Sequence, residues 1–330
     1  MRATSISTSV EIGLRFVGLW PDLPYGTITW FAYMTSLVFA LYFQYAYIFG
    51  HFDVNDISNL IDALSITLAY SLGCLKLISL WSNRRLFYDI LLAMEEDWSN
   101  VKIFDKSVSY IMASNAELSR RCSNVLISIN AMSAICYSMT NLLRYSVDFK
   151  DDLNISSRVL PIKMEFPFEV DASPLFELLA LGQVLHVVSI AALVAMMNCL
   201  IITLVLHVSG QIDILRRQLL TICGNGTVQR DSIVASVRLL IIRHQRIITL
   251  SDNIEELYSD IALMQFLSNT VVICCIGFTI IGYQHAIVRF GVDDLTLLMD
   301  VLSMNLAYTL VLIKMLFLAF NSRLQIVRVE

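Results

Sequence analysis

Charge is what this chain has least of. Asp, Glu, Lys and Arg make up 15% of its 330 residues, where soluble domains carry about 25%. The net charge is -5 and the basic residues are scattered along the chain, so no positive field exists to hold nucleic acid. Proline is scarce as well. Pro21, Pro24, Pro161, Pro167 and Pro174 all fall outside the long apolar runs, as uninterrupted helices require. Cysteine offers no framework: Cys74, Cys136, Cys199, Cys274 and Cys275 sit within apolar runs, Cys122 at an edge and Cys223 in a polar stretch. Disulfides are therefore not expected. The amino end lacks the basic start, unbroken apolar core and cleavage site of a secretory signal, because Glu11 and Arg15 interrupt the pattern. The first apolar run is expected to serve as an uncleaved signal.

Catalytic signatures are missing too. His51, His186, His207, His244 and His285 show no HExxH spacing and no CxxC or carboxylate cluster accompanies them, which argues against a metal centre. There is no GxSxG elbow or GxxxxGK[ST] loop, and Gly224 and Gly226 lack the third glycine and preceding strand of a nucleotide fold. No cofactor and no enzymatic activity is expected.

What remains is length of apolar sequence. Six runs, at about 30–49, 60–81, 122–143, 178–207, 262–283 and 295–320, each reach the roughly 20 residues that cross about 30 Å of hydrocarbon. They predict an all-α polytopic membrane protein with six transmembrane helices, forming one domain over 30–320. Lys and Arg number six in 82–121 and six in 208–260, but four in 144–177, one in 284–294 and none in 50–59. By the positive-inside rule the heavier segments are cytosolic. This places the N-terminal segment 1–29 and the C-terminal tail 321–330 in the cytosol.

Segment 208–261 is cytosolic by charge yet helical by period, with Ile212, Leu215, Leu219 and Ile222 on one stripe and Val237, Leu240, Ile241, His244, Ile248 and Ile254 on another. Helices 4 and 5 are thus expected to carry long cytosolic extensions joined at Cys223-Gly224-Asn225-Gly226-Thr227. An apolar stripe in water requires a partner, either the other helix of the hairpin or another subunit. The loop 144–177 is acidic and aromatic and is expected to cap the outer helix ends. Its Asn154-Ile155-Ser156 is a glycosylation sequon on the outer face. Asn225 begins a second sequon, expected to stay unmodified on the cytosolic side.

Charges inside the spans are expensive. Asp62 and Asp300 lie near outer ends, and Lys76 and Lys314 lie toward inner ends, where a long stem reaches the interface. Neither mid-depth charges nor inverted repeats mark a transporter, which stays an alternative. In the outer halves, Tyr70, Tyr137, Ser138, Asn141, His186, Ser189, Phe278, Thr279, Met299, Met304 and Asn305 fit either of two readings. They line an apolar pocket with a few polar contacts, or they are interhelical packing with hydroxyl and amide glue.

Five stretches together resemble the insect odorant receptor family: VGLWP at 17–21, LKLISLWSNRRLFYDILLAMEEDW at 75–98, LPIKMEFPFEVDASPLFEL at 160–178, GQIDILRRQLLTI at 210–222 and IIRHQRIITLSDNIEELYSDI at 241–261. A cytosolic N-terminus fits that family and opposes rhodopsin-like receptors. The resemblance implies a tuning subunit that binds small volatile organic ligands in its outer helix halves. It also implies a ligand-gated non-selective cation channel, assembled with the odorant receptor co-receptor as a heterotetramer in the plasma membrane of a sensory neuron. Ile212, Leu215, Leu219, Val237, Leu240, Ile241 and Ile248 would then meet neighbouring subunits. Family members have seven spans, whereas this sequence ends ten residues after the sixth, at Glu330. As written it is read as a truncated isoform, an incomplete gene model or a pseudogene product, with conduction expected to be compromised. A non-conducting assembly subunit is the further alternative.

Overall fold

The first helix starts where the sequence offers a cap. Ser7 accepts a hydrogen bond from the Val10 N–H at 3.3 Å, opening α1 (Thr8–Phe16), and Glu11 pairs with Arg15 one turn later at 2.9 Å. In this computed structural model, residues 5–52, 57–101, 106–151, 160–170, 172–224 and 230–284 are described. Among the described residues the structure is all helix. After α1 come α2 (Gly26–Gly50), α3 (Ile57–Ser82), α4 (Arg84–Val101), α5 (Lys106–Asp151), α6 (Leu175–Gly224) and α7 (Arg230–Gln284).

Among the described residues, four helical segments are long and apolar enough to cross a bilayer: Gly26–Gly50, Ala63–Ser82, Lys106–Met139 and Leu175–Ile222. They correspond to the first four expected spans. The expected fifth span, 262–283, is the last part of α7, and the sixth, 295–320, lies outside the described residues. Large apolar side chains face outward on these segments, Phe31 at 56% exposure, Phe39 at 60% and Val125 at 57%. Lipid covers such a surface at no hydrophobic cost.

Helix lengths exceed what a bilayer needs. The 50 residues of α6 and 55 of α7 run about 75 and 82 Å at 1.5 Å per residue, each as one continuous rod more than twice as long as the roughly 30 Å of hydrocarbon. The helix of the third span, α5, departs from expectation. It begins at Lys106, not near 122, because Val108, Met112 and Ala116 are buried at four-residue spacing. That apolar edge is one residue per turn wide, enough to pack against a neighbouring helix.

The most extensive pairing is α5 against α6, antiparallel and closely spaced. A Cβ at Gly210 would lie 2.8 Å from Asn115 Nδ2. Two turns along, Ser119 and Thr203 share a hydrogen bond at 2.7 Å. Thr203 spends its own proton on the Cys199 carbonyl, so Ser119 is the donor. Helices α2 and α3 run antiparallel, locked by Trp30 stacked on Trp81 at 4.5 Å and by a 2.9 Å bond between Tyr45 and Ser71 hydroxyls.

The amino-terminal segment is built into the bundle. Val10, Leu14, Val17 and Leu19 are at most 2% exposed, and α1 packs on α6 and α5. The chain then reverses into α2 at Gly18, whose φ of 81° and contact with the Gly26 carbonyl exclude any side chain. At the opposite end of the bundle, residues 160–164 are tied to α6 by Gln183. Its Oε1 accepts from Ile162 N–H at 2.9 Å and its Nε2 donates to Ile162 O at 3.2 Å.

Candidate ligand site

Three rings from three helices meet in the half of the bundle nearer that loop. His186 of α6 stacks on Tyr70 of α3, centroids 5.4 Å apart and planes 23° apart, and on Tyr33 of α2 at 6.3 Å and 13°. The imidazole Nδ1 lies 3.1 Å from the Tyr70 hydroxyl, and Nε2 lies 3.5 Å from Ser36 Oγ. Tyr33 OH meets Ser189 Oγ at 3.3 Å. Ser189 donates to the His186 carbonyl at 2.8 Å, so Tyr33 is the donor to Ser189. Tyr70 is 1% exposed. The result is an aromatic stack edged with hydroxyls, set among apolar residues such as Val187 and Ile190.

The separation of α3 and α6 is set one turn away. A Cβ on Gly73 would fall 2.7 Å from Ile190 Cδ1, so any larger residue requires the end of the isoleucine side chain to turn away. Gly73 follows Tyr70 by three residues and Ile190 follows His186 by four, which places the close contact directly beneath the ring pair.

A second buried polar group ties the same helices to α7. Lys76 Nζ donates to Asn198 Oδ1 at 3.2 Å and to Gln265 Oε1 at 2.6 Å, and Gln265 Nε2 donates to Asn269 Oδ1 at 2.8 Å. The expectation that Lys76 reaches an interface is corrected here. It is 2% exposed, because side-chain amides from α6 and α7 solvate the ammonium inside the bundle. Asp300 and Lys314 lie outside the described residues, as does the side chain of Asp62.

At the α4 end, hydrogen bonds run from the amino terminus into α7. Trp98 Nε1 donates to Ser5 Oγ at 2.8 Å, and Ser5 Oγ meets His207 Nδ1 at 3.0 Å. His207 Nε2 faces Asp97 Oδ2 at 3.1 Å. An imidazole protonated at Nε2 satisfies the whole chain. Arg246 closes it, 3.4 Å from Asp97 and 2.8 Å from Glu96. Beside it, Arg243 donates to Gln218 at 2.8 Å; burial pulls its guanidinium below the usual arginine value, against the pull of Asp97. A cavity of about 280 Å³ opens here, lined by both arginines, Asp97 and Gln211. Leu239, Ile242, Ile247 and Leu250 supply its apolar walls.

Residues 56–290 match the family described as 7tm Odorant receptor. The chain belongs to that family. Comparison with curated proteins returned no match. Among solved structures, the receptor is similar to the insect olfactory receptor OR5 from Machilis hrabei. The two share a TM-score of 0.67 and 14% identity over 93% of this chain and 77% of the other. The same receptor in complex with eugenol gives a TM-score of 0.65 and 13% identity over 91% and 75%. At these identities the likeness establishes the fold.

Of the positions expected at the ligand site, the structure brings Tyr70, His186 and Ser189 of the receptor into one cluster. Tyr137 of α5 is within electrostatic reach of Tyr70. Ser138 is buried but donates to its own helix, at Ala134 O, 2.8 Å away. The side chains of Asn141, Phe278 and Thr279 lie outside the described residues, as do Met299, Met304, Asn305 and Asn154. Tyr33 and Ser36 were not anticipated. Helix α2 carries aromatics on every face, so its sequence gives no contrast by which to pick the inward one. At the α4 end, Leu219, Val237, Ile241 and Ile248 are exposed, while Leu240 is 8% exposed and packs inward with Ile247 and Leu250. Ile212 and Leu215 are half-buried.

Proposed function

We propose that the receptor is a tuning subunit that takes small volatile organic molecules at the Tyr33–His186–Tyr70 stack. Its occupancy gates a non-selective cation channel formed with the odorant receptor co-receptor as a heterotetramer in the plasma membrane. The observation that carries this reading is the stack itself, three rings from three helices joined by hydroxyls within an apolar bundle. Burying a ligand's apolar surface there contributes about 25 cal/mol per Å², which favours breadth, while Ser36, Ser189 and Tyr70 set orientation. Separation of α3 from α6 by a guest would be felt by α7 through Lys76. The exposed Leu219, Val237, Ile241 and Ile248 would be the contacts to neighbouring subunits.

The test is co-expression with the co-receptor and recording of odorant-evoked current, alongside direct binding to the purified receptor in nanodiscs. Tyr70→Phe and His186→Ala each break the bond between these two residues and remove a polar atom that would orient a guest, a hydrogen bond being worth about 0.5–1.5 kcal/mol. They are expected to raise half-maximal ligand concentrations roughly 2- to 10-fold at unchanged surface expression. Unaltered dose-response curves in both variants would remove the stack from the ligand site.

A further inference from the structure

Four glutamines are buried in the described structure: Gln44, Gln183, Gln211 and Gln265. Three use their amides. Gln183 holds Ile162 from both sides, Gln265 bridges Lys76 and Asn269, and Gln211 donates to Met112 sulfur. Gln44 is 1% exposed, and neither its Nε2 nor its Oε1 has a hydrogen-bond partner among the described residues. Buried polar atoms are paired in folded proteins with few exceptions, so an amide with both ends unmet calls for a physical reason.

Its position supplies one. Gln44 lies on the core face of α2, continuing the buried series Met34, Leu37 and Ile48. The Trp30–Trp81 stack and the Tyr45–Ser71 bond fix the antiparallel register of α2 and α3. That register sets Gln44 opposite residues 67–71, within about one helical turn of Tyr70. The unmet amide therefore lies at the Tyr70 end of the aromatic stack, about 16 Å along α2 from Tyr33.

We propose that Gln44 is the polar anchor for the receptor's ligand and selects molecules bearing a hydroxyl group, alcohols or phenols, over isosteres that only accept hydrogen bonds. A primary amide presents its carbonyl oxygen side by side with one of its two N–H donors. A single hydroxyl meets both, its oxygen accepting from that Nε2–H and its own O–H donating to Oε1. An ether, ester or ketone leaves Oε1 unmet, and a hydrocarbon leaves both unmet. An amine or carboxylic acid is ionised near pH 7 and carries the desolvation cost of its charge into the bundle. Sites that pair a buried polar group with a ligand hydroxyl discriminate strongly against analogues lacking it.

The inference rests on the odorant-binding reading, and the experiment separates the two. Purified receptor in nanodiscs is titrated with matched pairs, 1-octanol against methyl heptyl ether and 2-phenylethanol against its methyl ether, with binding read from tryptophan fluorescence. The wild type is expected to bind the alcohol about tenfold more tightly than the ether, the worth of one well-made hydrogen bond. In Gln44→Leu the ratio should fall close to one with ether affinity kept or improved; Gln44→Met serves if the leucine variant does not fold. Equal ratios in wild type and variant, with binding intact, would overturn the role of Gln44 and leave a water or a purely structural amide as the account. Absence of binding by every member of the panel to the wild type would instead overturn the odorant reading, and this inference with it.

Discussion

Gly73 offers the sharpest test of how α3 and α6 hold the site, because two opposing terms of known size meet at one atom. Replacing glycine with alanine inside a helix gains about 1 kcal/mol of backbone stability. At Gly73 the new Cβ would sit 2.7 Å from Ile190 Cδ1, the end of a side chain hemmed in by the bundle, and overpacking costs about 1–3 kcal/mol where that methyl has no free rotamer to turn into. Gly73→Ala alone is therefore expected to destabilise by up to about 2 kcal/mol. Ile190→Val deletes the clashing methyl at a cost of about 0.5–1.5 kcal/mol. The nearest remaining atom, Cγ1, lies at 3.4 Å, an ordinary contact. In that background Gly73→Ala should become stabilising by up to about 1 kcal/mol. The effect of the same substitution thus changes sign with its neighbour, a coupling that a double-mutant cycle isolates. Apparent Tm of purified receptor in nanodiscs, at about 2–4 °C per kcal/mol, resolves the difference. Ligand sensitivity should follow, since the crossing sets the Tyr70–His186 spacing: reduced in Gly73→Ala, recovered in the double variant. The same shift of Tm by Gly73→Ala in both backgrounds would refute the packing argument.

Other consequences follow from the polar groups. Lys76→Met leaves Asn198 Oδ1 and Gln265 Oε1 without their donor, at about 1–3 kcal/mol for each unmet group; a large fall in apparent Tm is expected, and an unchanged Tm would show that the ammonium does not bridge the three helices. Asp97→Asn removes the carboxylate shared by His207 and Arg246 and so loosens the link to Ser5. Hydrogen exchange in α1 should accelerate while α2 is unaffected, and equal protection in wild type and variant would dissociate the two. Asn154→Gln is expected to abolish a glycosidase-sensitive mobility shift, and a shift that survives would place the glycan elsewhere or the loop on the other side of the membrane.

The first four spans were legible because hydrocarbon imposes a length and composition that any sequence window reveals, and α6, the most apolar of them, is the plainest case. The helical extensions at 208–261 were legible from period alone. The start of α5 at Lys106 was not, since it depends on a narrow edge of Val108, Met112 and Ala116 that has meaning only against a neighbour. Nor was the incorporation of α1, whose nine residues are too short to stand as an element without the faces of α5 and α6.

For the site the division is similar. Tyr70, His186 and Ser189 drew notice as polar or aromatic residues in apolar surroundings, which is a property of composition. That they form one cluster, with Tyr33 and Ser36 added from α2, follows from helix register and crossing distance, which are fixed by Trp30 on Trp81 and Gly73 against Ile190. Lys76 makes the same point in reverse. Its sequence position suits an interface, yet amides from α6 and α7, 122 and 189 residues away, solvate it internally. The linear chain determined that this protein lives in a membrane as helices, because the solvent acts on each segment separately. Only the packed bundle decided which side chains meet, because close contact between helices depends on rotation and register that no single segment contains.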